Sequence, residues 1–204
     1  MTVLDMQGNP CPIPVVKAKK ELEKPDVQEV CVIVDAMVAV QNLEKMANGL
    51  GYSFSYAQED ENVFRVLIQK NGTPPNASPK AETILASKIA GADSSTTILI
   101  TKNQMGSGSD ELGKILIKGF IFSLTEAPIP PKTVLFLNSG VLLTTEGSNV
   151  LDDLKTLENK GVEIYSCGTC LNYYSLSDSL QVGEVTDMFK ISEKLLSAGN
   201  TITL

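Results

Sequence analysis

Gln7-Gly8-Asn9-Pro10-Cys11-Pro12-Ile13-Pro14 boxes a cysteine among prolines, between the short apolar run Val3-Leu4 and a segment with helical spacing. Pro10 and Pro12 bias Asn9 and Cys11 away from the helical region, so the backbone around the thiol has little freedom. Pro12 suits the first turn of a helix, where a missing N–H costs nothing. Pro14 falls in the same turn, although it disfavours helical geometry at Ile13. The combination predicts Cys11 as an N-cap, its sulfur facing unpaired backbone N–H groups and the positive end of the helix dipole. Such surroundings favour thiolate: a free thiol titrates near about 8.5, and a helix N-terminus brings it to about 7 or lower. The blander alternative is a buried, inert cysteine beside a rigid turn.

Working outward, residues 3–6 read as a strand. From Pro14 to Glu23 the apolar positions Val15, Val16, Ala18 and Leu22 alternate with Lys17, Lys19, Lys20 and Glu21, an amphipathic helix with a largely basic outer face that Pro25 stops. Val30 to Val34 is a second strand, and Cys31 within it reads as core. Asp35 opens a second helical segment with Val38, Leu43, Met46, Ala47 and Leu50 as its stripe, ended by Gly51 as a left-handed cap. Two alternating stretches, Tyr52 to Tyr56 and Val63 to Ile68, flank the polar turn Glu59-Asp60-Glu61-Asn62. The order β-α-β-α-β-β predicts an α/β fold, a two-layer sandwich over residues 1–70. Residues 71–96 read as a linker, with a Pro-rich start at 71–80 and a short helix over Ala81 to Ala90.

Residues 97–204 have a different rhythm. Apolar strands at Thr97–Thr101, Val134–Leu137, Val162–Tyr165 and Thr201–Leu204 alternate with helices at Asp110–Thr125, Ser148–Asn159 and Val185–Ser197. Buried strands alternating with helices predict a mainly parallel sheet covered on both faces, a three-layer α/β/α domain.

Charge and residue usage exclude several functions. The chain has 204 residues, 43% apolar, with 24 acidic against 17 basic side chains and a net charge of −7. That balance argues against a nucleic-acid surface and against binding to anionic lipid. No stretch approaches the ~18 continuous apolar residues of a membrane span. Met1-Thr2-Val3-Leu4-Asp5 lacks the basic start and long apolar run of a secretory signal, so the expected location is cytoplasmic, where thiols stay reduced. The absence of histidine removes the Cys–His pair, the Ser–His–Asp triad and every histidine metal site. The cysteines are Cys11, Cys31, Cys167 and Cys170, and only the last two form a C-x-x-C, half of a zinc site at best. Neither a metal nor a cofactor is expected.

Two loops of the second half carry polar chemistry. Met105-Gly106-Ser107-Gly108-Ser109-Asp110 lacks the Gly-Lys-Ser/Thr ending of a phosphate-binding P-loop and reads as a turn with Ser109 or Asp110 as helix cap. Ser166-Cys167-Gly168-Thr169-Cys170 follows a strand directly, which places Cys167 at the carboxyl end of the sheet, where open α/β folds bind ligands. A cytoplasmic C-x-x-C reads as a redox or sulfur-handling pair. Asn138-Ser139-Gly140 ends the neighbouring strand at the same edge.

Both halves resemble known families. Leu4-Asp5-Met6-Gln7-Gly8 with Cys11-Pro12-Ile13-Pro14 closely resembles the TusA/SirA-like sulfur-carrier fold, marked by C-P-x-P at the start of the first helix. Residues 97–204 resemble the DsrE/DsrF-like sulfur-relay domains. Their order, with Asn138-Ser139-Gly140 and Cys167-Gly168-Thr169-Cys170, is similar to the YedF-like family, described as sulfurtransferase-like and tied to selenium metabolism. The resemblance implies that Cys11 carries a persulfide and that Cys167 is the active cysteine of the second domain, with Cys170 a further thiol beside it. It implies a sulfur or selenium carrier that takes its atom from a cysteine desulfurase or other persulfide donor and passes it to a downstream acceptor protein. A homo-oligomer through the C-terminal domain is among the implied assemblies. The alternative is a thiol redox-sensing or regulatory protein in which Cys167 and Cys170 toggle as a disulfide without sulfur transfer.

Overall fold

Strand-forming residues at Thr2–Asp5 (β1) and Glu29–Val34 (β2) pair in parallel, with Leu4 opposite Val32. A parallel pair needs a crossover, supplied by the helix Ile13–Glu23 (α1). After β2 come the helix Met37–Gly49 (α2) and an antiparallel hairpin, Ser53–Asp60 (β3) and Val63–Gln69 (β4). The sheet order is β1-β2-β4-β3, with β2 antiparallel to β4. The computed structural model describes residues 2–70 and 95–204, and the chain divides into two units, Met1–Ala90 and Gly91–Leu204. The expected short helix over Ala81 to Ala90 and most of the expected linker lie outside the described residues.

Register explains which side of the first sheet is core. Val30, Val32 and Val34 stand opposite Ile68, Val66 and Phe64, and all six join Ala18, Leu22, Ala39, Val40, Leu43 and Ala47 of the two helices in one apolar cluster. Because side chains alternate along a strand, Cys31 and Ile33 face the other way, toward the side of Arg65 and Leu67. Cys31 is nevertheless buried, with the Arg65 guanidinium donating to its sulfur at 3.4 Å. Gly51 has φ of +70°, the left-handed conformation expected of the residue that ends α2.

The second unit holds a wholly parallel five-stranded sheet ordered β8-β7-β6-β5-β9. Its strands are Thr96–Ile100 (β5), Thr133–Phe136 (β6), Glu163–Cys167 (β7), Glu184–Thr186 (β8) and Asn200–Thr203 (β9). Helices Asp110–Thr125 (α3) and Leu151–Asn159 (α4) place Ile117, Ile121, Leu154 and Leu157 against Ile98, Ile100, Val134, Phe136 and Ile164. On the other face Leu135, Tyr165 and Cys167 meet Ile191 of the helix Met188–Leu196 (α6). A short helix, Gly168–Tyr173 (α5), leaves the end of β7.

One expected helix differs and one segment gains an unexpected element. Val185–Ser197 was expected to be one helix, but Glu184–Thr186 is a strand beside β7, and the helix starts only at Met188. The break is local: the Asp187 carboxylate accepts the Lys190 N–H at 2.9 Å as an N-cap, and the β-branched Val185 and Thr186 suit the sheet edge. Asn138–Leu143, given no element by its sequence, forms a 3-10 turn pressed onto β5. Only glycine fits within it at position 140, since a Cβ there would stand 2.4 Å from the Ile100 carbonyl oxygen.

Candidate thiol sites

The loop after β1 delivers Cys11 to the surface. Gly8, at φ +70°, turns the chain, and its N–H donates to the Asp35 carboxylate at 2.7 Å. Asp35 follows β2, so one carboxylate ties together the loops at the carboxyl ends of two adjacent parallel strands. Met6 N–H reaches the Ile33 carbonyl at 2.8 Å and Asn9 N–H the Met6 carbonyl at 3.2 Å, which braces the same loop. Cys11 is exposed, as the reactive reading requires.

Its expected role as N-cap is corrected. Pro12 occupies the cap and Ile13 opens the helix, with Pro14 in the first turn. The first helical bond runs from Val16 N–H to the Pro12 carbonyl at 3.1 Å, while Ile13 N–H is taken by Pro10. The thiol therefore sits one residue before the cap, and the group that reaches it is a side-chain amide: Asn42 Nδ2 of α2 donates to Cys11 Sγ at 3.4 Å. Asn42 carries no motif, and its part in the site comes from the packing of α1 against α2. Lys17, Lys19 and Lys20 lie on the exposed face of α1, as the spacing predicted.

In the second unit Cys167 ends β7 and caps α5, only 2% exposed within the cluster of Leu135, Tyr165 and Ile191. Cys170, one turn on, is half-buried and more accessible. The Asn138 backbone N–H donates to Cys170 Sγ at 3.1 Å, so the Asn138-Ser139-Gly140 edge does meet the C-x-x-C. Burial pushes the Cys170 thiol above its ordinary value, the neighbouring Cys167 thiol adds to that, and the Asn138 N–H pulls the other way. Tyr174 donates its hydroxyl to Asn138 Oδ1 at 2.9 Å, a contact that sequence spacing did not signal. Gly168 lies close to β8, where an added Cβ would come 3.0 Å from Val185 Cγ1. The remaining candidates hold ordinary structure: in the loop before α3 Ser109 caps the helix, its hydroxyl accepting Leu112 N–H at 3.3 Å, and Cys31 in β2 is core. Among the described residues no helix is long and apolar enough to cross a membrane.

Comparison with known proteins places the first unit. Residues 2–70 match the family model described as sulfurtransferase TusA. Over 71 residues the chain is 39% identical to a protein of Methanocaldococcus jannaschii named as a candidate sulfur carrier, covering 34% of this chain and 95% of that one. Over 70 residues it is 37% identical to the Escherichia coli (strain K12) protein YedF, likewise named as a candidate sulfur carrier, covering 33% of this chain and 88% of that one. A solved SirA-like protein from Desulfitobacterium hafniense shares 41% identity, covering 35% of this chain and 99% of its own, with a TM-score of 0.33. The ychN protein of E. coli shares 19% identity, covering 53% of this chain and 99% of its own, with a TM-score of 0.43. Through residues 2–70, with the C-P-x-P cysteine at their surface, the chain belongs to the sulfurtransferase TusA family.

Proposed function

We propose that this chain carries a sulfur or selenium atom on Cys11 and relays it to the Cys167/Cys170 pair of a DsrE/DsrF-like second domain. On this reading residues 1–70 are the carrier domain, 71–96 the linker and 97–204 the relay domain, and the protein works in the cytoplasm. The observation that carries the proposal is the exposed Cys11 on a braced, proline-bounded loop of a TusA-family unit. In the first step Cys11 thiolate attacks the outer sulfur of a donor persulfide, such as one on a cysteine desulfurase. A new S–S bond forms, the donor sulfur leaves as thiolate, and the sulfane sulfur moves without net oxidation.

Cys170 then attacks that outer atom and Cys11 leaves as thiolate. The resemblance makes Cys167 the accepting thiol, with Cys170 to resolve it; the greater accessibility of Cys170 and the Asn138 N–H on its sulfur support the reverse, Cys170 as acceptor and the buried Cys167 as resolving thiol. Attack of Cys167 on Cys170 Sγ closes a disulfide and expels sulfide or selenide. The two electrons that reduce the leaving atom come from the thiol pair, and an external dithiol restores it. A downstream acceptor protein receives the product, within one chain or between copies of an oligomer.

Peptide mass mapping after incubation with a desulfurase and cysteine tests this. Cys11 should gain the mass of one sulfur, Cys170→Ser should accumulate it there, and Cys11→Ser should load nothing on Cys170. No added sulfur on Cys11 sinks the proposal. The C-x-x-C spacing, which sets Cys170 in the short helix that Cys167 caps, favours a second reading, a redox switch. That reading expects a reversible disulfide poised near the cytosolic glutathione potential with no sulfur uptake.

A further inference from the structure

We propose that Tyr174 is a positioning residue that, through Asn138, holds a main-chain N–H donor on the Cys170 sulfur. The inference rests on the reading of Cys170 as the acceptor thiol. Asn138 adopts φ of 48°, a left-handed conformation uncommon for a residue with a Cβ, although asparagine tolerates it better than most. That conformation lies at the turn between β6 and the 3-10 segment, where the Asn138 N–H is 3.1 Å from Cys170 Sγ. Its own side chain is not idle: Oδ1 accepts the Tyr174 hydroxyl at 2.9 Å. Tyr174 sits one turn past Cys170 and donates its backbone N–H to the Cys170 carbonyl at 3.1 Å. Sulfur, amide, carboxamide and phenol thus close a ring that begins and ends on the same short helix.

The surroundings resist slippage of that ring. Gly140 N–H donates to the Leu137 carbonyl at 2.8 Å, and its Cα lies against the Ile100 carbonyl, so the turn that presents Asn138 is pinned to β5. The Tyr174 ring packs edge-on against Tyr173, with centroids 5.1 Å apart. The Asn138 N–H is the one group found to favour Cys170 thiolate, since burial and Cys167 both oppose it. A donor held in place before a thiolate forms costs no reorganisation when charge develops there, the same logic as an oxyanion hole.

The test follows alkylation of Cys170 by iodoacetamide as a function of pH in the reduced full-length protein, read peptide by peptide. Tyr174→Phe should move the Cys170 midpoint upward by roughly half to one unit, slowing its alkylation at neutral pH about 3- to 10-fold. Asn138→Gly, which keeps the left-handed backbone but removes Oδ1, should give the same shift. The double variant should add nothing further, because both substitutions break one ring. Cys11 alkylation, in the other unit, should stay unchanged as the internal reference. An unmoved Cys170 midpoint in folded Tyr174→Phe overturns the inference, and so does a double variant whose shift is the sum of the two. Should Tyr174→Phe not fold, Asn138→Gly alone decides by the same midpoint. Alkylation needs no donor persulfide, so a shifted midpoint without sulfur loading strikes the relay reading and leaves the positioning role standing.

Discussion

Cys11 and Cys31 stand 20 positions apart and show how little the residue type decides. Both sulfurs accept a hydrogen bond at 3.4 Å, one from Asn42 and one from Arg65, yet Cys11 is exposed and Cys31 sealed in a sheet. The difference was legible, because prolines on either side of Cys11 keep it out of regular structure while Cys31 lies in an unbroken β-branched run. The burial of Cys167 was not, because it depends on Ile191 of a helix more than 20 positions later. Beside Cys167 in the sheet register stands Thr186, buried and with no hydrogen-bond partner for its hydroxyl among the described residues. A buried hydroxyl left unpaired costs free energy that an apolar isostere does not. Thr186→Val should therefore raise stability by about 1 kcal/mol, seen as a higher urea midpoint at unchanged slope. A lower midpoint would mean that the hydroxyl finds a partner in solution.

Elements are where local signals met competition. The helix Asp110–Thr125 matches its predicted span, because Ser109 caps it and its apolar stripe faces β5 and β6. The start of α1 shifted because a helix begins where a carbonyl first finds an N–H four residues on, and Pro12 rather than Cys11 supplies it. Strand β8 was hidden inside an apparent helix because three residues carry no period that could be told from a helix. The thiol loop itself is held by a link between elements, Asp35 after β2 to Gly8 after β1. Asp35→Ala should cost about 1–2 kcal/mol, the range for a hydrogen bond to a charged group discounted for exposure. The Gly8 amide should exchange with deuterium faster in that variant while the amides of β2 keep their protection. Equal loosening of β2 would show that Asp35 supports the sheet rather than the loop.

At the scale of the molecule each unit has its own apolar packing, one cluster in the first and one on each face of the sheet in the second. Among the described residues, the cluster of Val32, Leu43, Phe64 and Ile68 draws its side chains from residues 4–68, and that of Ile98, Phe136 and Leu154 from residues 98–204. Small domains bury a lower fraction of their surface and are marginal, but 55–65 residues often suffice. A fragment of residues 1–70 is accordingly expected to melt cooperatively, with a stability of about 5 kcal/mol, and to keep Cys11 as reactive toward iodoacetamide as in the full chain. A non-cooperative melt would show that the first core needs the second unit. What the sequence alone determined is what travels with local pattern: the β-α-β-α-β-β order, the alternating strands and helices that follow, and a cysteine kept out of regular structure by its prolines. Tertiary structure alone decided which atoms meet the sulfurs. Asn42 on Cys11, the Asn138 N–H on Cys170 and the lid of Ile191 over Cys167 join residues 24 to 32 positions apart. Such contacts depend on how finished elements pack, and residue order carries no period that announces them.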